Sequence, residues 1–461
     1  MEPYRIAFLP LARTTFDIPL AEEVTRQAHQ ALRSAGFELY EAGKLITDLD
    51  TAQTIGRKLS AEPVDLALVF QATFADSTMV TTLAEAIDAP LFLWAIPEAF
   101  SGGRLRLNSL CGINLAGHAL TLRNRDYAYA YAPSKDPETI GQIRSLAAAG
   151  RLRRQLHSAR LGVVGEHPAG MDSCHLDAPL LEARLGVQIR RILLEEVFAR
   201  ARQIPQDRLA DVRTALDTRL DKLADLDQKP LAGSLSVYQA LKEIALQEKL
   251  DGLAVRCWPE FFTELGCAAC GAMSLLSDGF NGQSPIPCSC EADINGTVTQ
   301  LILQWLASAD AQKEHPAFGT DIVAMDFEKD QIAIWHCGLA PLSMADPTVQ
   351  PRGGIHSNRR VPLVMEFPLK PGQVTIARLS QATGELRLVL GLGEMIQSPP
   401  PFSGTSGVLR LEIPARQFFD QLLQQGLEHH ISLVYGNYLA SLAAFANLVN
   451  LPVLRLSSLP D

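Results

Sequence analysis

The stretch DLALVFQATFADSTMVTTLAEAIDAPLFLWAI, residues Asp65–Ile96, decides the fold class. Its two ends, DLALVFQA (Asp65–Ala72) and PLFLWAI (Pro90–Ile96), are short continuous apolar runs. Such runs read as strands covered on both faces. Between them MVTTLAEAIDA reads as a helix, so the segment is a crossover between parallel strands. The same rhythm precedes it. RIAFLPLA (Arg5–Ala12) reads as a buried strand, and the helix after it has Pro19 in its first turn, Gly36 at its stop, and Asp17 or Thr15 as cap. Ligands of such sheets sit beyond the carboxyl ends of the strands. Here those places hold RTTFD, QATFAD and IPEAFSGGRLRLNSLCGIN. No G-x-G-x-x-G follows the first strand, so a dinucleotide site has no support.

The α/β rhythm restarts after a polar stretch that places a boundary near Arg154–Ser158, with RLGVVG and GLAVRCW (Gly252–Trp258) as strands. The helical run FFTELGCAACGAMSLLSDG and the segment PCSCEADINGTVTQ (Pro287–Gln300) follow. Beyond the helix that this segment opens, the pattern changes. DIVAMDFEKDQIAIWHC, RVPLVMEFPL, QVTIARLS, ELRLVLGLGEM and GVLRLEIP are strands parted by Gly, Pro and polar turns, an antiparallel region. The chain then returns to α/β with HHISLVYG and NYLASLAAFANLV. The expected fold class is therefore α/β, two doubly wound parallel-sheet domains (1–156 and 157–315) followed by a β-rich α+β domain (316–461).

Composition agrees with three such domains, since 461 residues at about 150 per domain make three. Hydrophobic residues are 47% and charged residues 20%, the profile of a globular protein with ample core. A formal net charge of -10 without long runs of either sign argues against a nucleic-acid or anionic-membrane partner. No apolar run reaches the roughly 18 residues of a membrane span. MEPYRIAFLPLART lacks the features of a signal peptide, and eight cysteines are too few for a disulfide scaffold, so the expected location is cytoplasmic.

Three groups of residues carry candidate chemistry. In PCSCEADINGTVTQ, Asp293 or Asn295 reads as the helix cap, whereas Glu291 sits where an α/β sheet exposes functional groups. In AMDFEKDQIAIWHCG, Asp326 ends an apolar strand, and a buried carboxylate needs a cation, a donor cluster or a metal. His336 ends the next strand. In GLEHHISLVYG, His429 and His430 lead a strand, where neighbouring side chains point to opposite faces, so one of the two is expected to enter a site. A Glu, Asp and His set suits Mn²⁺ or Mg²⁺ better than structural zinc. The rival is a structural zinc site made of four thiolates, from Cys267, Cys270, Cys288 and Cys290. Trp94, Trp258 and Trp335 are candidates to stack on a sugar face. Arg104 and Arg106 read as a solvated face that would matter for a phosphorylated or sulfonated substrate.

WPEF, LGCAACGAMSLLSDGF, PIPCSCEADINGTV, AMDFEKDQIAIWHCG and the late HH together resemble the L-fucose isomerase-like branch of the fucose/arabinose isomerase superfamily. RTTFD, SLCGIN, GEHPAGMDSC, CEAD and PFSGTSG occur in the expected order. The resemblance implies two α/β domains followed by a domain with a β-barrel. It implies an enzyme that interconverts aldoses and ketoses with a divalent metal, commonly Mn²⁺, with Mg²⁺ or Co²⁺ as substitutes. Carried over by motif, Glu291 and Asp326 would be metal ligands and proton-transfer residues, and His430 the imidazole ligand. His336, Asp17, Trp258 and His429 would be substrate contacts. The proton would pass between C1 and C2 through an enediol, or a hydride shift would replace it. The resemblance also implies a trimer or hexamer with sites near subunit interfaces and a monosaccharide substrate. A non-catalytic sugar-binding protein on the same scaffold is the other alternative.

Overall fold

The computed structural model describes residues 2–41, 44–311 and 315–456. The chain divides into two compact units, Met1–Gln155 with Ala440–Leu448, and Leu156–Leu439 with Val449–Asp461.

The first unit is built on a parallel sheet of β1 (Arg5–Leu11), β2 (Glu38–Glu41), β3 (Leu66–Gln71), β4 (Leu91–Ala95) and β5 (Ala128–Tyr131), in the order β2-β1-β3-β4-β5. β3 and β4 are the two apolar runs of Asp65–Ile96, and every residue in both is buried. The helix between them, Ser77–Ala86, begins two residues before the expected Met79. Asp76 caps it by accepting the Thr78 N–H at 3.0 Å.

In the second unit, β6 (Arg160–Val164), β7 (Gln188–Ile192), β8 (Gly252–Val255) and β9 (Cys288–Ser289) form a parallel sheet in the order β7-β6-β8-β9. The remaining strands are β10 (Phe318–Asp326), β11 (Gln331–His336), β12 (Arg352–Gly354), β13 (Val364–Pro368), β14 (Gly372–Ser380), β15 (Arg387–Ile396), β16 (Thr405–Leu411), β17 (His430–Tyr435) and β18 (Val453–Leu456). Six of them close a ring, β16-β11-β10-β17-β14-β15 and back to β16, antiparallel at every step. This is the β-barrel that the family resemblance implied, and closure leaves none of the six as a bare edge.

Residues 157–315 and 316–461 thus carry separate sheets within one compact unit. The helix Ile294–Ala311 explains why. Nearly all of its described side chains are buried, so it offers no solvent face. It packs against β8 and β9 on one side and β10, β14 and β17 on the other. One continuous apolar core runs from Val164 and Val255 to Phe318, Val374 and Leu409.

Candidate active site

Beyond their carboxyl ends, the place where α/β sheets bind ligands, three of the four strands of the second sheet lead to a residue of the candidate site. Cys174 lies in the segment after β6, Trp258 follows β8, and Glu291 follows β9. The chain leaves β9 through two residues in the left-handed region, Glu291 (φ 57°) and Ala292 (φ 56°). Side chains with a Cβ resist this conformation by about 1–2 kcal/mol each, and strain of this kind gathers at functional sites. The turn is held from both directions. Asp293 caps the following helix by accepting the Gly296 N–H at 2.9 Å, and Trp258 Nε1 donates to Glu291 Oε1 at 3.1 Å. The other Glu291 oxygen lies 3.4 Å from His429 Nε2 and 3.8 Å from Cys174 Sγ. Burial pulls the Glu291 carboxyl upward. The His429 bond, the nearby His430 and the Trp258 bond more than offset it, so the group sits below its ordinary value and is ionised.

The barrel brings the second half of the site. Asp321 on β10 and His430 on β17 are directly paired across the antiparallel ladder, which puts their side chains side by side. His430 Nδ1 lies 2.9 Å from Asp293 Oδ2. Asp293 also takes both terminal nitrogens of Arg378, at 2.5 and 3.1 Å. All three side chains are nearly fully buried. Asp293 is therefore ionised despite complete burial, because Arg378 and His430 face it. With Asp293 accepting the Nδ1 proton, the lone pair of a neutral His430 falls on Nε2, and Nε2 faces Asp321 Oδ1 at 3.3 Å. That oxygen is buried without a hydrogen-bond partner.

An imidazole lone pair and a carboxylate oxygen facing each other in a buried place require a cation or a proton between them. Left alone, His430 takes the proton: burial opposes its charge, but Asp293 and Asp321 carry its affinity well above the ordinary histidine value. The same residues fit a divalent ion. Glu291, His429, His430 and Cys174 bring ligand atoms within 4.8 Å of one another, as do Asp321, His336 and His430. The two groups share His430. Two carboxylates and an imidazole suit a hard ion such as Mn²⁺ or Mg²⁺, and the Asp293–His430 bond is the outer support such ligands commonly have. His336 plays a different part. Its Nδ1 accepts the Cys337 N–H at 2.9 Å, so the neutral ring carries its proton on Nε2. Burial first, together with the nearby His430, drops its affinity to about 4, which keeps the ring a neutral donor.

Glu291, His336, His429, His430 and Trp258 therefore converge, and Asp326 does not join them. Asp326 ends β10 at the hairpin, opposite Gln331. Its side chain is 43% exposed and faces Lys329 at 3.3 Å, and it accepts the backbone N–H groups of Glu328 and Lys329. This is the turn-initiating chemistry of aspartate, which needs no metal. Asp321, five residues back on the same strand, is the aspartate that lies beside His430. The paired histidines also depart from expectation, because both reach Glu291's surroundings. His429 precedes the strand, so the alternation of faces does not bind it, and its ring lies 4.1 Å from that of His430. Asp17 lies in the first unit, where one oxygen caps the helix Ile18–Ser34 through the Leu20 N–H and the other takes Arg106 Nε at 2.8 Å.

The cysteines do not gather into the four-thiolate set of the rival zinc reading. Cys270 Sγ lies 3.1 Å from Cys337 and Cys290 Sγ 2.6 Å from Cys257. Cys267 and Cys288 join no potential ligand cluster among the described residues, and burial pushes both thiols up to about 12. Sequence reasoning missed Asp321 and Arg378. Both were detectable as lone charges beside apolar runs, in GTDIVAM and VTIARLS.

Trp258→Phe removes the indole N–H that holds Glu291 while keeping an aromatic ring in its place. We expect a drop in kcat of about 5- to 20-fold, the order of one hydrogen bond to a charged group, with overall stability nearly unchanged. Steady-state kinetics beside thermal unfolding checks this.

Comparisons with known proteins give the family. The family described as fucose/sulfoquinovose isomerase, N-terminal domain, matches residues 7–157, and that described as L-fucose isomerase, C-terminal domain, matches residues 365–457. Along nearly its whole length the chain is similar to proteins named sulfoquinovose isomerase. It is 31% identical to that of Priestia megaterium over 454 residues, 98% of this chain and 99% of the relative. It is 30% identical to that of Alkalicoccus urumqiensis over 455 residues, again 98% and 99%. The chain therefore belongs to the fucose/sulfoquinovose isomerase family, enzymes that interconvert aldoses and ketoses.

Proposed function

We propose that this isomerase works with a divalent metal, Mn²⁺ by preference, and that its substrate is sulfoquinovose, a hexose carrying a sulfonate on C6. The metal reading is supported by one observation: Glu291 and Asp321 each bring a ligand atom within 4.8 Å of one on His430, and the buried Asp321 oxygen faces the His430 imidazole at 3.3 Å. The substrate reading is supported by full-length similarity to curated relatives of that name.

Glu291, Asp321 and His430 would hold the ion, which supplies Lewis-acid polarisation of the two neighbouring sugar oxygens when bound. The remaining chemistry belongs to the side chains. Glu291 is ionised and aimed by Trp258, so it is placed to take the C2 proton and return it to C1. Asp321 is the second carboxylate, within reach of a hydroxyl proton. His336 offers a neutral N–H donor toward the same space. Asp293 and Arg378 touch no substrate in this scheme; they fix the His430 ring.

Two further parts of the proposal concern assembly and location. The first unit exposes Phe100, Leu105 and Leu110 near the carboxyl ends of its strands, a surface suited to contact between copies in a trimer or hexamer. All eight cysteines are free, in keeping with a reducing cytoplasm, and among the described residues no helix is long and apolar enough to cross a membrane.

The test is an aldose panel in D₂O with metal-stripped and Mn²⁺-reloaded enzyme. Stripping is expected to abolish turnover and Mn²⁺ to restore it. Sulfoquinovose should outpace L-fucose, D-arabinose and D-glucose, with solvent deuterium entering the ketose. Full activity without metal would overturn the metal reading. Turnover without deuterium would favour the hydride shift. Sugar binding with metal present but no conversion of any aldose would favour a non-catalytic sugar-binding protein.

A further inference from the structure

The site is lined with carboxylates. Glu291, Asp293 and Asp321 all face it, and an anionic sugar entering it needs a compensating cation away from the reacting carbons. Resting on the sulfonated-substrate reading, we propose that Arg359 is the specificity residue that binds the anionic end of the sugar, with Trp258 as the platform between it and Glu291.

Trp258 makes two contacts that define this direction. At its edge, Nε1 holds Glu291. Over its face, 5.8 Å from the ring centre, lies the Arg359 guanidinium, which is also 5.7 Å from the centre of the Phe262 ring. One indole thus links the Glu291 carboxylate to an arginine. The ring positions the cation over its face and the carboxylate at its edge.

Arg359 is also uncommitted. It is exposed, and among the described residues no carboxylate lies within ion-pair distance of it. Arg256, on the other strand-end segment, is by contrast taken by Glu260 at 2.7 Å. The loop that carries Arg359 is preorganised. His356 N–H donates to the Val361 carbonyl and Arg360 N–H to the His356 carbonyl, at 3.0 and 2.8 Å. The His356 ring accepts the Asn358 and Arg359 N–H groups at Nδ1 and packs edge-on against Phe262. Burial and the adjacent Arg359 charge keep His356 below its ordinary value, so Nδ1 stays an acceptor. The backbone under Arg359 is thereby fixed before any ligand arrives, which lowers the cost of binding. A guanidinium matches a sulfonate well, since its planar fork donates to two oxygens at once.

The experiment compares the full-length, Mn²⁺-loaded enzyme with Arg359→Ala and Arg359→Lys on sulfoquinovose and on the same sugar lacking the sulfonate. Arg359→Ala should lower kcat/KM for the sulfonated sugar by about 10- to 100-fold, the range of a charge-assisted pair. The loss should fall mainly on KM, with the uncharged sugar nearly unaffected and Arg359→Lys recovering part of it. Inorganic sulfate should compete with substrate in the parent enzyme and cease to do so in Arg359→Ala. An equal loss on both sugars would show that Arg359 acts only by steadying Trp258 and would overturn the inference. A parent preference for the sulfonated sugar that survives Arg359→Ala overturns this inference alone. A parent enzyme with no such preference overturns the substrate reading and this inference with it.

Discussion

Asp321→Asn is expected to lower kcat by about 10²- to 10⁴-fold, the range for a proton-transfer or ligand carboxylate, while Asp326→Asn stays within about twofold of the parent. The two aspartates bracket the same apolar run, so the pair sets geometry against sequence pattern. Asp321 is held beside His430 by the β10–β17 ladder, with a buried oxygen 3.3 Å from His430 Nε2. Amidation there replaces a charged oxygen by N–H₂ in a place that requires a cation, so Mn²⁺ affinity should fall together with the rate. Asp326 is a turn residue with a solvent-screened partner, and its loss should leave metal affinity unaltered. Steady-state kinetics with metal titration reads both. The reverse ranking would return the catalytic role to Asp326 and remove Asp321 from the site.

Arg378→Met is expected to cost about 3–5 kcal/mol of stability in the second unit, the usual result of removing one partner from a buried ion pair. Arg378 is 2% exposed, grips Asp293 with two nitrogens and lies 3.8 Å from Glu428. Burial works against its charge, but Asp293 and Glu428 hold its proton above the ordinary arginine value. Methionine fills the volume and leaves two carboxylates without their cation. Urea unfolding of Arg378→Met against Arg378→Met/Asp293→Asn separates charge from packing. If the uncompensated carboxylate is the cause, the second change should recover part of the loss. The second change also takes the carboxylate from His430, so activity of the double variant should stay low. Equal stability of Arg378→Met and the parent would show that the buried cluster contributes nothing to the fold.

Much of the architecture was legible because apolar runs of strand length alternate with helical periods in both parallel sheets. β3 and β4 coincide with the runs in Asp65–Ile96, and β8 with GLAVRCW. The ring closure of the barrel was not legible from pattern. It depends on the pairing of β15 with β16, a contact between strands that carries no local signature. Glu291 was legible through its place between a strand end and a helix. Asp321 was not, because two aspartates flank IVAM and pattern cannot tell a ladder position from a hairpin position. The phrase FEKD after Asp326 is a turn signal, and given more weight it would have placed Asp326 at the hairpin. Asp293 was read as a helix cap, which it is, but its second oxygen also anchors His430 and Arg378. A double duty of that kind arises only when distant strands meet.

The pairing of Asp321 with His430 makes the site a checksum on the barrel's assembly. Side chains on a strand alternate faces, so a slip of β17 by one residue along β10 would set Ile431 or His429 opposite Asp321 and turn the imidazole away from Asp293. Such a chain could still close six strands and bury most of its apolar side chains. It would lose the imidazole beside Asp321, and Asp293 would lose its His430 partner. On the proposed mechanism, mis-registered molecules would be silent as catalysts, and the same charged cluster marks which closed ring is the native one.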